Sequence, residues 1–314
     1  MRGTLKGAVG LLCLILMPAG AVQAAGRTYG LEARRIAADT YVFEGQAEHF
    51  TAENGGNILN SGFIVTDDGV IVIQTGPSRR YGEEMRAAIG RVTPRPIAKV
   101  FVSNLHPDYF LGSQAFADVP VAALPGTIDG IRSEGPAVTE NMYRLIGDWM
   151  RGTEVVVPTE PVLGATVVYG GHRLRLMPLD GHTAADLALF DETTGVLFAG
   201  GLVFSDRTPT TPHADIARWL RALDELEALD IAVLVPNHGT VRSDEAAIGQ
   251  TRDYLTWLDA TLRGAAETGL DMNEVMAIEI PARFAVLNVL REEFTRSVAH
   301  LYPKIEQSVL PRVN

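Results

Sequence analysis

Apolar residues along this chain alternate with polar ones in some stretches and recur every three or four positions in others. ADTYVFEG (38–45) and SGFIVTDDGVIVIQTG (61–76) read as strands, the second broken by an Asp-Asp-Gly turn at 67–69. Tyr81 to Arg91 reads as a helix, with Met85, Ala88 and Ile89 at i, i+3 and i+4. Lys99 to Ser103 is a buried strand, and Val119 to Ala122 is a shorter one. Residues 127–151 keep a looser helical period that Gly135 and Pro136 interrupt. The second half repeats the plan. VLGATVVYGGHRLRLMPLDGHT (162–183) is a hairpin turning at Gly170–Gly171, and LALFDETTGVLFAGGLVF (187–204) is a strand pair turning at Thr194–Gly195. Ala214 to Leu229 carries Ile216, Leu220, Leu223 and Leu226 along one helical face, and IAVLVP (231–236) is a buried strand. Ser243 to Leu262 is helical with Ser243 as its N-cap, and the tail from Met272 is mostly helical.

Strand pairs followed by helices, twice over, predict an α/β protein with two mixed sheets packed together and helices outside. Three strand ends share one design: NLHPDY (104–109) carries His106, DGHTAAD (180–186) carries His182, and VPNHGT (235–240) carries His238. A lone histidine is more often structural than a ligand. Three on strand-end loops, with Asp108 beside the first, point to a metal site, because imidazole nitrogen and carboxylate oxygen suit zinc.

Charge and cysteine content narrow the partners. A net charge of −11 argues against nucleic acid or an anionic membrane, which require a cationic face. The N-terminal stretch reads as an export signal. Arg2 and Lys6 precede an apolar run, Ala8 to Met17, too short to span a bilayer, and AVQA leads to cleavage after Ala24. Residues 25–314 are then expected in the periplasm with no membrane segment. Cys13, the one cysteine, leaves with the signal, so neither disulfides nor thiolate ligands are available.

These loops resemble the motifs of the metallo-β-lactamase-fold hydrolase superfamily over roughly 35–245, in the family's order. Those motifs are His-x-His-x-Asp-His after a strand, then Gly-His-Thr, a Gly-Asp at a strand end, and a terminal Gly-His. The resemblance implies an αββα four-layer sandwich, one domain over 25–314 with a helical C-terminal extension, and a metal cleft along one sheet edge. It places His106 and His182 at a first zinc position, Asp108 and His238 at a second, and makes Asp108 the catalytic residue that orients a water. NGGNILNSGFIVTDDG, PSRRYGEE, HPDYFLGSQAF and PTTPHADIARWL further resemble the zinc metallohydrolases of bacterial quinoprotein relay systems. That likeness implies hydrolysis of an ester, thioester or amide of a small molecule, with a periplasmic quinoprotein system as partner.

Four positions depart from the family pattern. Asn104 stands for the first histidine, Tyr109 for the last, Gly201 for the bridging aspartate, and Gln74 for an aspartate that steadies the ligand loop. Each zinc position keeps two ordinary ligands where a catalytic zinc has three plus water, so at most one ion is expected. Three arrangements stay open: one metal held by some of His106, Asp108, His182 and His238, with a Tyr109 phenolate as a further oxygen; a metal-free pseudoenzyme acting as a binding or accessory protein; and a metal-free hydrolase using Asp108 with a histidine. Restoring Asn104→His, Tyr109→His and Gly201→Asp together is expected to raise metal uptake. Of the other histidines, His213 reads as an exposed helix-start residue near the cleft, with a replacement ligand as the alternative; His172 reads as a solvated turn residue; and His49 reads as a surface residue on a glycine-flanked loop able to cover the cleft. His300 is given no role, Arg79 and Arg80 face solvent, and Trp149, Trp219 and Trp257 pack in the core.

Overall fold

The computed structural model describes residues 27–309; the expected export signal, with Cys13, lies outside the described residues. The alternating stretches become the first sheet, seven strands in sequence order. They are β1 (Arg34–Ala37), β2 (Thr40–Phe43), β3 (Ser61–Thr66), β4 (Gly69–Ile73), β5 (Ile97–Val102), β6 (Val121–Ala123) and β7 (Glu160–Pro161). β1 to β4 form an antiparallel meander, and β4 to β7 run parallel. Parallel neighbours need crossovers. These are α1 (Arg79–Val92), then the short α2 (Pro107–Phe110) with a 3₁₀ turn, then α3 (Pro125–Ile146).

The second sheet holds β8 (Ala165–Tyr169), β9 (His172–Leu179), β10 (Asp186–Asp191), β11 (Val196–Phe198) and β12 (Val233–Val235), in the order β12-β11-β10-β9-β8. β11 and β12 pair in parallel, and α4 (Ile216–Glu227) makes that crossover. α5 (Ala246–Thr268), α6 (Met272–Met276) and α7 (Leu290–Val309) follow.

Strand periodicity sets the layers. Along β4, Ile71 and Ile73 face the second sheet and pack with Leu174, Leu187 and Leu189. Val70 and Val72 face the other way, against Tyr81, Met85 and Ile89 of α1. Across the molecule, Trp219 and Leu223 of α4, Leu255 of α5 and Phe294 of α7 cover the outer face of the second sheet. The result is helix, sheet, sheet, helix: the expected αββα sandwich. Each fully buried side chain of this size contributes about 1.5–3 kcal/mol.

Three local expectations are corrected. α3 runs unbroken through Gly135 and Pro136, because Ile131 and Met142 on either side are both fully buried. Gly135 is needed there for close packing, since a Cβ would stand 2.9 Å from Val155 Cγ1. α5 starts at Ala246 rather than being capped by Ser243; Asp244, held by Arg242, accepts the Ala246 N–H at 3.1 Å instead. His172 is buried at the start of β9, its Nδ1 2.8 Å from Asp191 Oδ2, where a solvated turn was expected.

Candidate metal centre

The site is built where β4, β5, β9 and β12 end. Gln74, just past β4, holds the first loop by two hydrogen bonds: its Oε1 accepts the Ser103 N–H at 3.1 Å and its Nε2 donates to Ser103 Oγ at 2.7 Å. Its backbone is left-handed, φ 63°, a strain of about 1–3 kcal/mol for a non-glycine residue. The amide therefore does here what the family pattern assigns to a carboxylate. Asn104 continues the loop, its Oδ1 accepting the His106 N–H at 3.0 Å and its Nδ2 donating to Asp186 Oδ1 at 3.2 Å. The loop of His182 is fixed from the other side. Gly181 has φ 133° and lies so close to α4 that a Cβ would stand 2.2 Å from Trp219 Cα. Trp219 in turn packs edge-on against the His182 ring, centroids 5.1 Å apart.

His106, Asp108, His182 and His238 all line one cavity of about 670 Å³. The rings of His106 and His182 are 4.6 Å apart between centroids, and His238 Nε2 lies 3.5 Å from Asp108 Oδ2. His49, His213 and His300 line the same cavity, so six of the seven histidines share it. Burial pulls His106 and His238 well below the usual imidazole range, and pushes Asp108 up to about 6. These imidazoles are thus neutral at pH 7, the form that ligates metals.

Proteins of this fold typically bind zinc, and the donor chemistry here fits one ion better than two. His182 Nδ1 faces Asp186 Oδ1 at 3.2 Å and His238 Nδ1 faces the Ile58 carbonyl at 2.6 Å. The Asn104 amide, 3.5 Å from His182 Nδ1, donates to Asp186 instead at 3.2 Å, so the nearest partner of each Nδ1 is an acceptor; each Nδ1 then carries the proton and each Nε2 keeps its lone pair. His182 Nε2 is buried with no hydrogen-bond partner, and His238 Nε2 faces the Asp108 carboxylate. Two ligands of one tetrahedral zinc stand about 3.3 Å apart, close to the 3.5 Å separating His238 and Asp108. The donors are oriented rather than closed: among the described residues, no three His, Cys, Asp or Glu side chains form a ready metal cage.

The departures prove to be coupled. A Cβ on Gly201 would stand 2.0 Å from His182 Nδ1 and 2.7 Å from Asn104 Nδ2. The space of the bridging aspartate is therefore filled by His182, held back against Asn104 and Asp186. Restoring Gly201→Asp alongside the other two ligands would displace His182, so the expected rise in metal uptake is withdrawn. Tyr109 is fully buried among the residues between the first sheet and its helices and is absent from the cavity wall. Burial holds its phenol well above the usual range, which disfavours a phenolate ligand.

Sequence reasoning passed over several cavity residues. His49 and His300, read as incidental, both line it. Arg207 is fully buried, and its Nη2 donates to Glu293 Oε1 of α7 at 3.2 Å. Glu293 also accepts from Thr210 Oγ1 at 3.0 Å and Arg296 Nη1 at 3.2 Å. No local motif signals this cluster, because its members lie some 86 residues apart. His213, exposed as expected, is also bonded to His106: its Nδ1 lies 2.9 Å from His106 Nε2.

Comparison with known proteins agrees with this fold. Residues 54–238, more than half of the chain, match the model of the metallo-beta-lactamase superfamily. A linear primary-alkylsulfatase from a Pseudomonas species is 22% identical over 295 residues, covering 79% of this chain. The chain spans about half of that relative, 55% of its length. Among solved structures, a metallo-beta-lactamase from Pontibacter korlensis superposes with a TM-score of 0.59 at 22% identity, covering 72% of this chain and 99% of its own. The metallo-beta-lactamase IND-7 gives 0.59 at 18% identity, covering 73% and 100%. The structural likenesses speak for the fold alone. With the matched residues supplying four of the cavity's six histidines, the chain belongs to the metallo-beta-lactamase superfamily.

Proposed function

We propose that this chain is a periplasmic hydrolase that holds a single zinc ion in the histidine-lined cavity and cleaves an ester, thioester or amide of a small molecule. One observation supports it above others: His182 and His238 have their proton-bearing nitrogens tied behind and their lone pairs turned towards Asp108 and the cavity. Carboxylate and carbonyl partners of this kind fix the orientation of metal-binding imidazoles. His106, Asp108, His182 and His238 would hold the ion, and the chemistry supplied on binding is Lewis acidity, which lowers the pKa of water from 15.7 to about 7.

The chain's own groups do the rest. Asp108, buried and facing His238, orients a water and accepts its proton. Val138 and Leu145 of α3 offer an apolar wall for the body of the substrate, opposite Arg296 and His300 of α7. The alkylsulfatase relative adds sulfate esters to the candidate substrates. Export through residues 1–24 and service to a quinoprotein system belong to the same proposal, resting on the sequence texture described above.

A second reading, a binding or accessory protein without turnover, is favoured by the absence of a closed ligand cage among the described residues. The two separate in one assay. Zinc-loaded protein lacking residues 1–24 is offered nitrophenyl acetate, an acyl thioester, an anilide and dodecyl sulfate. We expect turnover of at least one, reduced roughly 10²–10⁴-fold by Asp108→Asn. Zinc-loaded protein inert to all four, or turnover indifferent to Asp108→Asn, counts against the hydrolase.

A further inference from the structure

His106 lacks the carboxylate or carbonyl behind its ring that His182 and His238 have. Its Nε2 instead meets the Nδ1 of His213, 2.9 Å away, on the segment that leads into α4. That distance is a hydrogen bond. It is shorter than the roughly 3.3 Å between two nitrogens on one tetrahedral zinc, so His213 is a partner of His106 rather than a second donor to a shared ion.

One of the two facing nitrogens must carry the proton, and a third group decides which. On its far side, His213 Nε2 lies 3.6 Å from Glu134 Oε2, a carboxylate on α3. A carboxylate beside one ring nitrogen favours the tautomer with the proton on that nitrogen where, unlike His238 with a carbonyl 2.6 Å from Nδ1, the other nitrogen faces no nearer oxygen acceptor. His213 is thereby left with an accepting Nδ1, and His106 must donate through Nε2. The consequence for His106 is a free lone pair on Nδ1.

We propose that His213, oriented by Glu134, is a positioning residue that fixes His106 in the Nε2–H form and so makes Nδ1 its metal-donating atom. The proposal rests on the one-ion reading of the cavity. It also gives the segment before α4 a task in joining the two halves of the sandwich, since Glu134 comes from the first half and His213 from the second. The loop between β11 and α4 would then set the readiness of a donor that belongs to β5. His213 is 41% exposed, so replacing it leaves the core untouched.

The test reads the tautomer directly. In metal-free protein with isotope-labelled histidine, the His106 ring signals, assigned with a His106→Ala variant, should report Nε2–H. His213→Ala should give a mixture of tautomers. His213→Asn, whose Oδ1 takes the place of Nδ1 as acceptor, should restore the wild-type signal, and Glu134→Ala should shift it partway. Zinc affinity, measured by competition with a chromophoric chelator, should fall about 10–100-fold in His213→Ala and recover in His213→Asn. An unchanged tautomer in His213→Ala, or His213→Asn as weak as His213→Ala, overturns the relay. Should wild-type protein bind no zinc at all, the one-ion reading fails, and the ring signals still decide whether His213 sets the tautomer.

Discussion

Two histidine–carboxylate pairs in this molecule look alike on paper and differ in kind. At the mouth of the β8–β9 hairpin, His172 Nδ1 lies 2.8 Å from Asp191 Oδ2, and that carboxylate is also held by Thr194 Oγ1 at 2.6 Å and the Thr193 N–H at 3.1 Å. Asp191 raises His172 above the usual imidazole range and is itself depressed. The pair is a staple that is charged wherever His172 is protonated. In the cavity, His182 Nδ1 meets Asp186 at 3.2 Å, yet Nε2 on the other side of the ring is buried with nothing to bond. A carboxylate behind a histidine therefore does not mark a site. What sets His182 apart is the combination of an unmatched Nε2, whose burial costs about 1–3 kcal/mol, with a place on the wall of the histidine-lined cavity.

The largest expected effect comes from filling Gly201. Gly201→Asp pushes atoms into His182 Nδ1 and Asn104, so the cavity side should lose about 1–3 kcal/mol in urea unfolding together with its zinc uptake. Stability unchanged, with more metal bound, would mean that the His182 ring moves aside freely and that the coupling of these positions is mistaken. An effect confined to stability is expected at the staple. His172→Ala should lower stability by about 1.5–3 kcal/mol, the range for a hydrogen bond to a charged group, and leave zinc uptake alone.

The smallest effect is the pH dependence of that staple. His172 has a folded pKa above its unfolded value near 6.5, so its contribution is fully present below that pH and fades as pH rises through the raised value. Asp191, depressed, contributes above its unfolded value near 3.8 and loses its effect as pH falls through the lowered one. The stability gap between wild type and His172→Ala should thus be wide at pH 5.5 and narrower at pH 8.5. A gap that widens with pH would show that His172 is neutral and the pair merely a hydrogen bond.

The same contrast explains what could be read from the letters. His106, His182 and His238 were legible because each follows an apolar strand and is flanked by turn-forming residues, a local pattern. The two sheets were legible from the apolar, β-branched runs of β3, β4 and β10 and from the alternation in β9. His172 has the same neighbours as any turn histidine, and only packing against Asp191, nineteen positions on, buries it. His213, on the segment before α4, meets Glu134 of α3, and Arg207 finds Glu293 on a helix beyond the family motifs. Such contacts depend on tertiary approach, which no periodicity encodes. The meaning of Gly201 was also hidden: the missing Cβ matters only once His182 is seen leaning into its space.

Zinc stoichiometry bears most directly on whether the cavity is a metal site. Protein lacking residues 1–24 would be dialysed against zinc, washed and measured by elemental analysis, beside His182→Ala and His172→Ala. Wild type and His172→Ala should each retain about one equivalent and His182→Ala almost none, as a site with too few ligands would. Wild type emerging free of zinc, or His182→Ala keeping its full equivalent, would show that the gathered imidazoles serve something other than a metal.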